Sequence, residues 1–245
     1  TIPGMNLGEE SAVLPVVPMF HVNAWGVPYF APMVGAKIVF PGPKLDGESL
    51  AELINNEGVT EAWGVPTVWL GLLGHMRKTE QKFTSLKRVL IGGSAAPRAM
   101  MREFQEKYGV EGLQGWGMTE MSPIGTVSMI RPKDADLPLD RQFDIKAKQG
   151  RAVFGVEMKI VNDDGQALPR DGKSFGELLV RGPAIISGYY ENPEASAKAF
   201  DSEGWFRTGD VSKIDPEGYM EIVDRTKDVI KSGGEWISSI DLENE

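Results

Sequence analysis

The segment 114–120, with the sequence QGWGMTE, places an aromatic ring, a hydroxyl and a carboxylate close together among small residues. Its two glycines let the backbone around Trp116 come close to a flat ring. The Thr119 hydroxyl can hydrogen-bond a phosphate oxygen, and the Glu120 carboxylate is an oxygen ligand of the kind that Mg²⁺ prefers. These residue types suit a magnesium-bound phosphate compound that carries a ring. Taken alone, the segment also fits a glycine-rich corner with a surface glutamate.

Two further segments carry groups for polar chemistry. Residues 92–97, GGSAAP, lie between an apolar run and a helical pattern. They fit either a tight turn or a site where the helix N-terminus favours a negatively charged ligand. Residues 205–210, WFRTGD, put the Asp210 carboxylate directly after a glycine. Such a carboxylate can accept hydrogen bonds from both hydroxyls of a ribose, although an ordinary loop aspartate is the alternative.

The remaining candidates are a histidine and a late glycine-containing segment. His21 lies in PMFHVNAW, residues 18–25, and a single histidine beside aromatic residues is more often packed than catalytic. The second histidine, His75, lies in a helical pattern rich in Leu and Met, and we expect it to be structural. Residues 224–239, DRTKDVIKSGGEWISS, combine an apolar run, cations, a glycine pair and a tryptophan. Alone, this segment could be a hairpin corner.

The elements that must position these groups change type along the chain. Residues 1–140 alternate apolar runs, at 12–17, 36–40 and 88–91, with helical patterns, which predicts a parallel α/β sheet flanked by helices. Asp46 can cap one helix, and Pro97 and Gly109 can begin and end another. Ligands of such sheets bind at the carboxyl ends of the strands, where residues 92–94 and 115–120 fall.

The second part of the chain has the pattern of antiparallel β structure. Residues 131–150 are rich in charge and proline, which predicts an irregular connection. Strands are then predicted at 156–161, 176–181 and 219–223, with a type I turn over 215–218. We expect these strands to form a distorted barrel or a sandwich.

Composition excludes several classes of protein. A net charge of −9 argues against nucleic-acid binding, and the lack of cysteine excludes disulfides, thiolate metal sites and a cysteine nucleophile. No signal peptide or long apolar run indicates export or a transmembrane segment, so we expect a cytoplasmic protein. A hydrophobic content of 41% is enough for a buried core.

Three motifs, at 115–120, 205–210 and 224–239, resemble in type and order those of the adenylate-forming (AMP-binding) superfamily, in its acyl-CoA synthetase branch. The string KSGGEWISS is similar to that of medium- and long-chain members, some relatives of which use short acids such as 3-methylthiopropionate. The resemblance covers nearly all of the chain. Trp116 departs from it, since tyrosine is usual there; stacking survives the change, but a phenol contact does not.

The resemblance implies a role for each matching residue. The implied catalytic residues are His21, Thr119 and Glu120, with Glu120 also holding Mg²⁺. The implied nucleotide-binding residues are Gly93, Gln114, Gly115, Trp116, Thr119, Asp210, Arg225, Lys227 and Lys231. The implied acyl pocket consists of His21, Trp25, Gly93 and Gly117. Asp224 matches the hinge residue, and Trp236 lies near the path of CoA.

The domains implied are an α/β nucleotide- and acyl-binding subdomain at 1–140, an antiparallel β subdomain at 141–223, and a hinge with the start of a small C-terminal domain at 224–245. The phosphate loop and most of that last domain are missing from the chain, so we expect activity from a longer protein and not from this portion.

The implied reaction joins a carboxylic acid to CoA through an acyl-AMP, using ATP and Mg²⁺ and releasing pyrophosphate. Residues 63–73 suit an apolar acyl pocket, although core packing explains them equally well. Three interpretations stay open: an acyl-CoA synthetase for an aliphatic acid; an adenylation domain that loads a carrier protein, or a luciferase-like relative; and a nucleotide-binding module without catalysis. A homodimer is also left open.

Overall fold

The computed structural model describes residues 7–226, 230–232 and 235–237. The chain divides into two compact units, one ending at Ala147 and the other beginning at Lys148. The first is an α/β unit with a mostly parallel sheet, and the second is built on an antiparallel sheet. The predicted fold class is confirmed.

Six strands of the first unit lie side by side in the order β2-β1-β3-β4-β5-β6. They are β1 (Ala12–Pro15), β2 (Lys37–Ile38), β3 (Glu61–Gly64), β4 (Arg88–Ile91), β5 (Glu111–Gly117) and β6 (Ile124–Val127). Neighbouring strands pair in parallel, except that β5 and β6 are antiparallel. Every residue of β1 and β3 is buried, as in strands covered on both faces.

The helices of this unit are α1 (Val22–Trp25), α2 (Val27–Met33), α3 (Gly47–Asn56), α4 (Pro66–Thr79), α5 (Arg98–Tyr108) and α6 (Leu139–Lys146), with 3₁₀ helices at Thr119–Met121 and Pro132–Asp134. Asp46 caps α3 by accepting a hydrogen bond from the Ser49 backbone N–H at 2.9 Å, as predicted. Gly109 ends α5 in the left-handed conformation, also as predicted.

The core of the first unit lies between the sheet and these helices. Trp69, Met101 and Phe104 are fully buried in it, and the Trp69 indole N–H donates to the Gly64 carbonyl at 3.1 Å. Trp63 is also buried, and its ring stacks with Phe30 at 5.0 Å. Core packing therefore accounts for the two tryptophans of residues 63–73.

The irregular connection predicted over residues 131–150 is wrong, because α6 and a 3₁₀ turn form there. Phe143 of α6 is buried, and the Arg102 guanidinium lies 5.2 Å from its ring. Arg98 also pairs with Asp140, with Nη2 and Oδ1 3.3 Å apart. The helix is stabilised by packing against α5, which a local reading of charge and proline cannot show.

The second unit contains β7 (Arg151–Ala152), β8 (Glu157–Val161), β9 (Phe175–Arg181), β10 (Phe206–Ile214), β11 (Met220–Arg225), β12 (Ile230–Ser232), β13 (Glu235–Ile237) and helix α7 (Pro193–Ala199). Its sheet has the order β11-β10-β9-β8, with antiparallel neighbours. The predicted turn joins β10 to β11, and the Gly218 N–H donates to the Asp215 carbonyl at 2.9 Å. β12 and β13 pair separately.

Candidate active site

The carboxyl ends of β4 and β5 lie next to each other in the first unit. Ile91, the last residue of β4, is paired with Gln114 of β5. The chain leaves β4 into the turn 92–97 and continues along β5 into the segment 115–120. Two of the segments singled out in the sequence therefore meet at one edge of the sheet, where ligands of parallel sheets bind.

Gly92 is the residue at which three predicted segments meet. A side chain added there would have its Cβ 2.9 Å from Cη2 of Trp25 and 3.3 Å from the carbonyl oxygen of Gly115. The indole of Trp25 therefore lies against the Gly92 backbone, and a larger residue at position 92 would require the indole to move. Gly93, the residue named by the sequence, comes next, with φ +80°, and is exposed. The role that the resemblance implies for Gly93, between the acyl pocket and the nucleotide, stays a prediction.

Trp116 rests on a glycine that the sequence did not single out. A Cβ on Gly125 would lie 2.6 Å from Cζ3 of Trp116, so the indole covers the backbone of β6 at that point. Trp116 pairs with Thr126 in the β5–β6 register, and its side chain is half-buried. The ring is thus held by a strand pairing. No signal local to residues 114–120 could have revealed Gly125.

The end of the segment turns away from β5 in a tight loop. A side chain on Gly117 would collide with the carbonyl oxygen of Pro123, so glycine is required there. Thr119 and Glu120 begin a 3₁₀ helix; Thr119 is exposed and Glu120 is half-buried. A hydroxyl and a carboxylate are thus presented together at the end of β5.

His21 and Trp25 flank an unusual turn. Val22, Asn23, Ala24 and Trp25 all have φ between 48° and 55°, so α1 is a left-handed turn made without glycine. His21 is exposed, and its backbone N–H donates to the Pro18 carbonyl at 3.0 Å. Left-handed backbone is costly for such residues and is concentrated at functional sites. The turn fixes where the predicted acyl-pocket residues leave the backbone.

Asp210 and Arg225 belong to the second unit and are described within it. Asp210 is only 2% exposed, and its Oδ1 lies 3.0 Å from Nε of Arg225, the residue opposite it on β11. The Asp210 N–H donates to the Thr208 hydroxyl at 3.1 Å, and that hydroxyl donates to the Leu178 carbonyl at 2.9 Å. The carboxylate predicted to bind ribose is therefore paired with a cation, and the backbone that carries it is anchored through Thr208.

Asp224, the predicted hinge residue, is buried, and its Oδ1 accepts a hydrogen bond from the Arg225 N–H at 2.7 Å. Lys227 lies outside the described residues. For Lys231 in β12 and Trp236 in β13 the structure describes only the backbone strands. The roles assigned to these residues stay predictions.

The class of protein follows from a family comparison. The model of the AMP-binding enzyme family matches residues 2–190. The chain therefore belongs to the family of AMP-binding enzymes, and the resemblance drawn from its motifs is confirmed.

Within this family, the chain is similar to particular CoA ligases. The chain is 53% identical over 240 residues to the medium-chain-fatty-acid–CoA ligase of Ectopseudomonas oleovorans. This match covers 98% of this chain and 43% of the relative. It is 53% identical over 232 residues to the 3-methylmercaptopropionyl-CoA ligase of Ruegeria lacuscaerulensis, covering 95% and 42%. The chain thus spans less than half the length of these relatives.

A solved structure of similar fold is that of o-succinylbenzoate CoA synthetase from Bacillus subtilis in complex with AMP. The TM-score is 0.81 at 28% identity, over 98% of this chain and 46% of that one. The same enzyme has also been solved with ATP and a magnesium ion. In the described part of this chain, no helix is both long and apolar enough to cross a membrane.

Proposed function

We propose that the full-length protein is an AMP-forming acyl-CoA ligase that activates an aliphatic carboxylic acid with ATP. The observation that carries the proposal is the meeting of Trp25, the turn 92–97 and the start of the segment 115–120 at Gly92. This arrangement puts the apolar side chain of Trp25, the exposed backbone of residues 93–95 and the segment that carries Trp116 at the carboxyl ends of the strands, where ligands bind. The family membership and the names of the relatives support the same activity.

The residues present fit ATP and Mg²⁺. The indole of Trp116, which has Gly125 beneath it, offers an aromatic surface for adenine. Thr119 is exposed and can donate to a phosphate oxygen, and Glu120 can supply the carboxylate oxygen that Mg²⁺ takes beside substrate phosphates. Asp210, which is fixed by Arg225, is the proposed acceptor for the ribose hydroxyls.

The reaction has two displacements. An oxygen of the substrate carboxylate bonds to the α-phosphorus of ATP, the bond between the α-phosphorus and the bridging oxygen breaks, and pyrophosphate leaves. The sulfur of CoA then bonds to the acyl carbon, the bond from that carbon to the AMP oxygen breaks, and the thiol proton passes to solvent. Mg²⁺, when bound, neutralises charge on the phosphates as one anion attacks another.

The protein's own groups position this chemistry. Thr119 hydrogen-bonds the α-phosphate, and the exposed backbone of residues 93–95 lies between the nucleotide and the acid. Trp25 and His21 border the acid, with the indole of Trp25 supplying an apolar wall. We propose an aliphatic acid because the relatives named above are ligases of a fatty acid and of a methylthio acid.

The first test is pyrophosphate exchange into ATP by the full-length enzyme. We expect Glu120→Ala to lower the exchange rate by about 100-fold or more. The variant lacks the carboxylate proposed to hold Mg²⁺, the ion that would offset the charge on the phosphates. Glu106→Ala is the matched control, since Glu106 is a surface carboxylate 3.6 Å from Arg102 on α5. Undiminished exchange in Glu120→Ala would refute the metal assignment.

The second displacement is tested with the acyl acceptor. The full-length enzyme should form an acyl thioester and release AMP when it is supplied with free CoA and fatty or methylthio acids of graded length. Transfer only to a carrier protein would favour a carrier-loading adenylation domain. ATP binding without pyrophosphate release would indicate a module without catalysis.

A further inference from the structure

The turn after β4 has two buried ends and an exposed middle, residues 93–95, which we call the crest. Gly92 and Ala96 are buried, whereas Gly93, Ser94 and Ala95 between them are exposed. At the first end, the Gly92 N–H donates to the Gly64 carbonyl at 3.3 Å. At the second end, the Ala96 N–H donates to Oε1 of Gln114 at 3.1 Å. One end is therefore held by backbone, and the other by a single side chain from β5.

Gln114 is itself held on both sides. In the sheet it is paired with Ile91 of β4. On the other side, its N–H donates to the Ser128 hydroxyl at 2.8 Å, and its carbonyl accepts from the Ser128 N–H at 2.8 Å. Gln114 is 1% exposed, so its amide oxygen has little freedom to move. A buried backbone N–H that loses such an acceptor is left unsatisfied, which disfavours the crest as it stands.

We propose that Gln114 is a positioning residue, whose amide oxygen sets the crest 93–95 relative to the segment 115–120. The inference rests on the proposed function, in which the crest lies beside the reacting carboxylate and the segment beside the nucleotide. Gln114 directly precedes the segment 115–120, and its side chain holds the crest through the Ala96 N–H. One residue therefore contacts the protein segments proposed to lie beside each reactant. Its backbone N–H and carbonyl and its side-chain oxygen are all engaged within the protein. The proposal therefore gives Gln114 a role in aligning the reactants, in place of the direct nucleotide contact that the family resemblance implies.

Alignment governs the rate of the chemical step more than it governs the binding of either reactant. A misplacement of about 1 Å costs on the order of 100-fold in rate, because the reacting atoms no longer start from an aligned geometry. Loss of the Ala96 hydrogen bond should therefore lower kcat for adenylate formation. The KM for ATP should change little, since the residues proposed to hold adenine, ribose and Mg²⁺ are untouched.

The experiment compares three substitutions in the full-length enzyme. Gln114→Met keeps the length but removes the oxygen, and Gln114→Asn keeps the amide but is too short to reach Ala96. Gln114→Glu keeps an oxygen in the same place. In pyrophosphate exchange we expect kcat to fall by about 10- to 100-fold for Met and Asn, with the KM for ATP within about threefold of wild type. The Glu variant should recover most of kcat.

Hydrogen exchange of the Ala96 amide is a second measurement that needs no activity. We expect faster exchange in Gln114→Met and Gln114→Asn and near wild-type exchange in Gln114→Glu. The proposal is overturned if folded Met and Asn variants keep kcat, if Glu loses as much as Met, or if the Ala96 amide stays protected without the oxygen. It is also overturned if Met and Asn fail to fold while Glu folds, since Gln114 would then support the fold.

These outcomes are distinct from failure of the proposed function. A wild-type enzyme that does not exchange pyrophosphate refutes the activity. The Ala96 exchange measurement still reports whether Gln114 holds the crest.

Discussion

Glu61 is a buried carboxylate at the start of β3. It lies at the amino ends of the parallel strands, whereas the candidate site lies at their carboxyl ends. It is paired in register with Arg88 of β4, which is paired in turn with Glu111 of β5. Arg88 lies 3.4 Å from Glu61 and 3.5 Å from Glu111, and Lys146 lies 3.2 Å from Glu111. Burial raises the pKa of Glu61 to about 7, although Arg88 opposes the shift.

The raised pKa makes Glu61 a pH-dependent cost to stability. Its carboxyl binds a proton more tightly in the folded state, with a pKa of about 7, than in the unfolded state, near 4.5. The free energy of unfolding therefore falls as pH rises from about 4.5 through 7, by roughly 3 kcal/mol at most. Glu61→Gln removes this titration.

We expect Glu61→Gln to gain stability relative to wild type as pH rises from 5 to 8, measured by urea unfolding. Glu57→Gln is the control, because Glu57 is an exposed carboxylate paired with Lys37 at 2.6 Å. Its difference from wild type should be nearly constant with pH. A flat difference for Glu61→Gln would show that the carboxyl is ionised at ordinary pH in the folded protein.

At the scale of elements, the left-handed turn α1 is the most constrained part of the candidate site. Asn23 lies in its middle with φ 51° and ψ 53°. The residue is exposed, and its Nδ2 donates to the Tyr29 hydroxyl at 3.1 Å. Because glycine avoids the cost of left-handed backbone, the usual ranking of helix formers should reverse here.

We expect Asn23→Gly to be more stable than Asn23→Ala by about 1 kcal/mol. Both variants lose the Tyr29 hydrogen bond, so their difference isolates the backbone. In a right-handed helix the alanine variant would be the more stable one by a similar amount. Thermal or urea unfolding of the pair decides between the two conformations through the sign of the difference.

The helix α6 shows what an element's own sequence leaves open. Pro138 precedes it, and four of its eight residues are charged, so its own sequence offers few apolar residues to mark a helix face. Phe143 and the ion pairs with Arg98 and Arg102 stabilise the helix only once α5 is in place. In contrast, Asp46 and Gly109 act through their own backbone neighbours, and both were predictable.

For the whole molecule, the sequence predicted the fold class and the edge of the sheet where the candidate residues gather. Strand periodicity and glycine-rich turns decide both. It did not predict Gly125 beneath Trp116, the Ser128 contacts of Gln114, or the depth at which Trp25 meets Gly92. These depend on which strands become neighbours, and pairing between β5 and β6 is not encoded in either strand alone.

The residues with proposed roles are divided between the two units. The first contains the groups assigned to the acid, adenine and Mg²⁺, and the second contains the carboxylate assigned to ribose. Because the chain spans less than half the length of its relatives, the activity is proposed for the full-length protein. The fold of each unit nevertheless follows from its own sequence pattern.

The irregularity in β10 has an evolutionary consequence. Arg207 pairs with Leu179 and Val211 with Glu177, so three residues of β10 face the single Leu178 of β9. The hydroxyl of Thr208 fills the gap in the ladder, which lets Asp210 remain buried beside Arg225. Loss of one residue between 207 and 211 would shift the parity of the strand and turn the carboxylate to the other face. Homologous proteins should therefore keep the length of this stretch unchanged.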